Sequence, residues 1–411
     1  GEVDVCFVDA GKDVPVLLAF HEDFFKHLCR GQPAETSGDR IAENDGKSHG
    51  LQSLEFTPQC PSQHLWRYLG EVGVTSRCLR SKTRLATDEE LLRFHTRDYI
   101  QAIEGTGDFS AKVGEDCVYT VLGSRTHGPT LETFLCQHSA HALRLVTGSF
   151  VELVTEVATG PVKRGLQVDG RGHHSGSDFA SGFGFYNEVG VAVRHAIDVL
   201  KLSRVLVVDL DVHVGDGIEN ALYEEAKAAY VSIHRYDEGL VFPGILKGSR
   251  NGHLDDTGNG AGAGHVVNIP WGQHGRTSKN TGDEPYREAF ESLVLPIARE
   301  YNPELTIVFC GLDAAIGDPT GQCAVTAPMY GWMIRSLAAV GAQRIVVLLG
   351  GGNDPISGCE PGHSVAEALL DETQEVGPAP VSNTNFTHAA YMDLYGVLEV
   401  QKHHWSCLQS A

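Results

Sequence analysis

RVLVVDLDVHVGDG, residues 204–217, begins as an apolar run and ends in acids, a histidine and glycines. A short Val- and Leu-rich run that stops abruptly at polar residues reads as a strand buried on both faces. Four similar runs follow it: AYVSIHRY (229–236), HVVNIPW (265–271), LTIVFCGLD (305–313) and RIVVLLGG (344–351). Between and around them, 187–201, 216–228, 284–300 and 325–340 carry helical spacing of apolar residues. Strands alternating with helices predict an α/β fold, with a mainly parallel central sheet covered by helices on both faces.

Upstream the pattern weakens. The chain is irregular to about residue 60, and RGQPAETSGDRIAENDGKSHG (30–50) reads as a polar surface loop or insertion. ATDEELLRFHTRDYIQAIEG (86–105) has a Thr87 cap, early acids and apolar residues three and four apart, which predicts one helix. Two more helical stretches are expected near 130–157. No repeat, low-complexity tract or boundary divides the 411 residues, so a single domain over 1–411 is expected.

Composition narrows the function classes. Apolar residues make up 42% and charged residues 21%, and no apolar run reaches the ~18 residues of a membrane span, which predicts a soluble globular protein. The N-terminal GEVDVCFVDAGKDV lacks the basic and apolar segments of a secretory signal. Ten cysteines without a CxxC pair fit a reducing, intracellular compartment. A net charge of −21 argues against direct nucleic-acid binding, which needs a basic face.

The polar residues gather where the apolar runs end. In open α/β sheets that is where ligands bind. Asp209, Asp211 and His213 alternate, so an extended backbone projects all three from one face. A satisfied hydrogen-bond cluster would explain them, but LTIVFCGLD delivers Asp313 to an equivalent place. Asp211, His213 and Asp313 make three N/O donors with room for water and substrate, the pattern of a catalytic metal site. Zinc is the first choice, and Fe(II), Co(II) or Mn(II) would suit the same donors. A hydrolytic metal site also needs a base and an acid near neutrality, and the adjacent His173 and His174 in GRGHHSGS supply two imidazoles. Asp209 and Asp216 are placed to orient them.

With these residues assembled, the chain resembles the zinc-dependent histone deacetylases. The resemblance runs from about residue 85 to the C-terminus. It rests on GRGHHSGSDFASGFGFYNEV (170–189), VLVVDLDVHVGDG (205–217), VSIHRYDEGLVFPG (231–244), LVLPIAREYNPELTIVFCGLDAAIGDP (293–319) and VLEVQKHHW (397–405). SIHRYDEG and EYNPEL look most like class II members. Residues 1–85 diverge.

The resemblance implies the arginase-deacetylase fold and hydrolysis of the amide of an acylated lysine side chain, on a histone or another protein, as in chromatin regulation. It makes Asp211, His213 and Asp313 the ligands of one Zn2+ per chain, and His173 and His174 the acid/base pair on Asp209 and Asp216. It places Phe183 and Phe242, with Gly182, Gly351 and Gly352, along the substrate channel. It puts a structural K+ at Asp209, Asp211, His213 and Ser232, and Ser124 near the rim. The implied location is nuclear, cytoplasmic or both, without a membrane, and oligomeric state stays open.

One departure stands out. The family places a tyrosine after a Gly-Gly pair beyond the last strand, where its hydroxyl stabilises the oxyanion. Here the strand continues as VVLLGGGNDPISG, and Gly352 or Asn353 occupies that position. Tyr330, Tyr391 and Tyr395 are the C-terminal tyrosines that could substitute. The gap favours a rival reading, a catalytically weak acyl-lysine-binding module, while the intact histidine pair favours an enzyme. An arginase-like ureohydrolase with two manganese ions would need a carboxylate where Ala314 and Ala315 follow Asp313.

Overall fold

The computed structural model describes residues 14–26, 61–113, 138–244, 252–273, 277–350, 352, 354–371, 376–380 and 387–409. Eight strands form one sheet: β1 (Val16–Ala19), β2 (Leu79–Arg80), β3 (Arg164–Val168), β4 (Val205–Asp209), β5 (Ala228–Arg235), β6 (Val266–Trp271), β7 (Leu305–Cys310) and β8 (Ile345–Leu349). Their order is β2-β1-β3-β8-β7-β4-β5-β6, and every pairing is parallel. Alternate residues of β4 serve opposite faces: Leu206 and Val208 join one buried apolar cluster, Val205 and Val207 the other. Helices therefore cover both faces, as the apolar runs require. Among the described residues no helix is long and apolar enough to cross a membrane.

The five expected strands lie within three residues of their quoted runs at either end, and three more were not expected. The supposedly irregular N-terminal region contains β1, whose VLLA is too short to show a period yet pairs with β2 and β3. β3, RGLQV, is hidden by its polar residues. Arg164 and Gln167 are buried, and their side chains donate to the carbonyls of Leu369 and Val146, which offsets part of the penalty of burial. The helix expected over 86–105 is two: Asp88–Leu91, closed by a Thr87–Glu90 capping box, and Arg97–Val113. The stretches near 130–157 appear as one helix, Ser139–Thr159, while 130–137 and the 30–50 insertion lie outside the described residues. Over 284–300 the helix widens into a π turn at Phe290–Val294, ahead of Pro296, which lacks the N–H that a regular turn would use.

The break at 92–96 has a tertiary cause. His95 leaves the helical path so that its Nε2 accepts the Asn187 N–H at 2.9 Å, beside the loop that carries His173 and His174. Burial lowers the His95 pKa to about 3, so the folded protein holds it neutral while the unfolded chain protonates it below about 6.5. The unfolded state therefore binds the extra proton, and stability falls as pH drops from about 6.5 towards 3. His95→Gln keeps an acceptor but not the titration. Between about pH 7 and pH 5, urea denaturation should show wild type losing roughly 2 kcal/mol more than this variant. Equal losses in the two proteins would contradict the assignment.

Candidate active site

The sheet reverses its winding between β4 and β7, and the polar cluster sits at the carboxyl ends of those two strands. Leaving β4, Asp211 N–H donates to Asp209 Oδ1 (3.1 Å), Val212 N–H to Asp313 Oδ1 (2.9 Å) and His213 N–H to Asp211 Oδ1 (2.8 Å). The carboxylates thus hold the backbone that presents them. Leaving β7, Gly311 permits the approach of Asp211, for a Cβ there would lie 2.0 Å from Asp211 Oδ2. His213 Nδ1 lies 3.0 Å from Asp211 Oδ1 and 3.1 Å from Asp313 Oδ2. One donor atom from each of the three residues falls within 4.8 Å of the others.

These donors fit a divalent metal. Two carboxylates and an imidazole nitrogen, drawn together in a largely buried cluster, form a set that a cation satisfies. The alanines after Asp313 are fully buried. Among the described residues no other group of three such donors converges.

His173 and His174 occupy a single tight turn, Gly172–His174. Gly172 is required there, since a Cβ would lie 1.8 Å from the Tyr186 carbonyl oxygen, and its N–H donates to Glu188 Oε2 at 2.9 Å. His173 Nδ1 is 3.3 Å from Asp209 Oδ2, and His174 Nδ1 is 2.7 Å from Asp216 Oδ1. The two rings have different environments. Burial opposes charge on His173, but Asp211 and Asp209 outweigh it and raise the pKa to about 9. Burial, aided by His173 and His213, lowers His174 well below the imidazole range, and burial raises Asp216 to about 8. Both directions have the same cause, the desolvation of charge in a buried pair.

A cleft of about 480 Å³ opens over these groups, lined by His173, His174, Asp211, His213 and Asp313 and walled by Phe183, Phe242 and Phe309. Phe242 meets the His174 ring edge-on at 4.8 Å, and Phe183 is 44% exposed. Gly182, also lining the cleft, has φ +54 and packs against His174, where a Cβ would lie 2.3 Å from the ring. Gly352 lines the cleft with φ +69. Gly351, Asn353 and Ser124 lie outside the described residues. Ser232 pairs in register with Asp209, and its hydroxyl is 2.8 Å from His234 Nδ1.

The tyrosines considered as substitutes do not reach the cleft. Tyr330 is fully buried with its hydroxyl donating to Gly311 O (3.4 Å), and Tyr391 and Tyr395 lie part-exposed on the helix His388–Gln401. Several residues of the site escaped the sequence reading, Phe309 and Glu188 among them. Phe309 stacks on His173 at 4.3 Å but looks like any other apolar strand residue, and Glu188 braces Gly172 from a helix start.

The model of the histone deacetylase domain matches residues 58–369. Human histone deacetylase 9 is 32% identical over 352 residues, covering 82% of this chain and 34% of that protein. Human histone deacetylase 7 is 33% identical over 364 residues, covering 84% of this chain and 37% of that protein. The chain thus spans about a third of the length of these curated relatives. The crystal structure of the HDA15 HD domain aligns with a TM-score of 0.77 and 29% identity, covering 96% of this chain and 98% of that one.

Proposed function

Because this chain belongs to the histone deacetylase family, with class II relatives and the α/β arginase-deacetylase fold, we propose that it hydrolyses the amide of an acylated lysine side chain. The lysine belongs to a histone or another protein, and a nuclear or cytoplasmic location accords with that substrate. One observation carries the reading: two buried imidazoles, each against its own carboxylate, share a cleft with a three-donor metal cluster.

Asp211, His213 and Asp313 would hold one Zn2+. Bound there, zinc supplies Lewis acidity towards a carbonyl and towards water. Asp209 and Ser232, neighbours in register, supply oxygens suited to a structural K+ near the backbone of Asp211 and His213.

Phe183 and Phe242 enclose the methylenes of the lysine stem. His174, held through Nδ1 by Asp216, turns Nε2 to accept the proton of the attacking water. Departure of the lysine amine requires a proton on its nitrogen, and His173 is the adjacent imidazole placed to deliver it. Burial around both rings excludes bulk water from these transfers.

The fully buried Ala314 and Ala315 leave no carboxylate beside Asp313 for a two-metal ureohydrolase. A pure acyl-lysine-binding module is separated from the enzyme by turnover. An aryl or aliphatic hydroxamate should bind zinc-loaded protein in calorimetry under either reading, whereas only the enzyme releases the free carboxylate from acyl-lysine peptides and leaves the deacylated lysine in the peptide. Absence of hydroxamate binding would remove the cleft assignment, and binding without release from any acyl-lysine peptide would leave the module.

A further inference from the structure

Arg235, the last residue of β5, is 7% exposed and takes no part in the chemistry above. Its backbone N–H donates to the carbonyl of Val212, the residue between Asp211 and His213 (2.8 Å). Its guanidinium donates to Gly321 O through Nη1 (2.8 Å), to Asp237 Oδ2 through Nη2 (2.5 Å) and to Ser278 Oγ through Nε (3.1 Å).

Two of those partners, Gly321 and Asp237, belong to segments that build the site, and Ser278 braces the second of them. Gly321 closes the loop that begins at the metal-site residue Asp313, and it packs so tightly that a Cβ would lie 1.7 Å from Asp313 O. Asp318 fixes that turn, accepting the N–H groups of Thr320 (2.8 Å) and Gly321 (2.9 Å). Asp237 opens the loop leading to Phe242, and with Glu238 it adopts left-handed φ values of +44 and +60. Left-handed backbone at non-glycine residues persists only where the surroundings enforce it. Ser278 contributes, its N–H and hydroxyl both donating to Asp237 Oδ1 (2.7 and 2.5 Å).

We propose that Arg235 is a positioning residue, tying the Asp211–His213 segment, the Asp313 loop and the Phe242 loop into one frame and so setting how tightly the metal and an acyl-lysine analogue are held. The inference rests on the function proposed above. A planar fork spreads its donors over three nitrogens in fixed directions towards these three acceptors, a geometry that the three donors of a single ammonium nitrogen do not match. Groups that orient metal ligands commonly control metal affinity by about 10- to 100-fold.

The test compares Arg235→Lys with Arg164→Lys. Arg164 is a second buried arginine bonded to backbone carbonyls, of Leu369 and Asp371, but it starts β3 at the opposite end of the sheet. Zinc affinity by chelator competition, zinc release well below the unfolding temperature, and hydroxamate affinity at saturating zinc are measured alongside thermal stability. Arg235→Lys should weaken zinc binding about 10- to 100-fold and speed its release, while Arg164→Lys loses stability with zinc affinity within about twofold of wild type. If Arg235→Lys fails to fold, Asp237→Asn removes one side of the frame and should weaken zinc in the same direction. Unchanged zinc affinity in the folded Arg235 or Asp237 variant, or equal weakening in Arg164→Lys, would overturn the assignment. Failure of the wild type to take up zinc would instead overturn the functional reading beneath it.

Discussion

Trifluoroacetyl-lysine should be hydrolysed roughly 100- to 1000-fold faster than acetyl-lysine, with the difference in kcat rather than KM. A tetrahedral intermediate places negative charge on the former carbonyl oxygen, and a preorganised donor aimed at that oxygen lowers the barrier. Among the described residues of the cleft no tyrosine supplies one. Gly352 has no side chain, and the hydroxyl of Tyr330 is turned to Gly311 O. An acyl group made electrophilic by fluorine depends less on the missing donor. Competitive kinetics with matched peptides checks this, and comparable kcat values for the two substrates would show that a donor exists.

Restoring a tyrosine by Gly352→Tyr is handicapped by the backbone. With φ at +69, a side chain there costs about 1–2 kcal/mol, and its Cβ would lie 3.4 Å from the Leu312 carbonyl carbon. The expected gain in acetyl-lysine turnover is therefore nearer 10-fold than 1000-fold.

Asp313→Ala should reduce bound zinc from about one equivalent to background and abolish turnover. Asp313 has two tasks. It contributes a donor oxygen beside His213, and its other oxygen accepts the N–H of Val212 between the remaining two metal-site residues. Alanine removes both, leaving the Val212 N–H without its acceptor and the other donors less fixed. Elemental analysis after dialysis reads the result. Full zinc retention would place the metal elsewhere, and two equivalents of manganese in wild type would revive the ureohydrolase reading.

The central strands were legible because β4 to β8 are buried on both faces and rich in Val, Ile and Leu. Alternation singled out Asp209, Asp211 and His213, but β4 ends at Asp209, and Asp211 and His213 lie in the bends beyond it, where carboxylate bonds to backbone N–H groups set their places. What stayed hidden depends on contacts distant in sequence. β3 carries polar residues that a buried strand tolerates here because Arg164 finds its carbonyl partner at Leu369, 205 residues away, and Gln167 finds one at Val146 on the preceding helix. The helix break at 92–96 follows from the reach of His95 to Asn187, 92 residues away. Arg235 sits in a recognisable segment, yet its bond to Gly321 spans 86 residues and no local pattern announces it. The tyrosine substitutes were named only for their residue type, and packing turns Tyr330 inward and sets Tyr391 and Tyr395 on a remote helix.

The central claim is metal-dependent hydrolysis at Asp211, His213 and Asp313 with His174 as the base. The most direct measurement titrates zinc into chelator-stripped protein while following release of trifluoroacetate from a trifluoroacetyl-lysine peptide, with wild type and His174→Ala run in parallel. Wild-type turnover should rise from background and level off at about one zinc per chain, with the variant at least about 100-fold slower at the same zinc occupancy. Turnover that ignores zinc, or a His174→Ala variant as fast as wild type, would contradict the account.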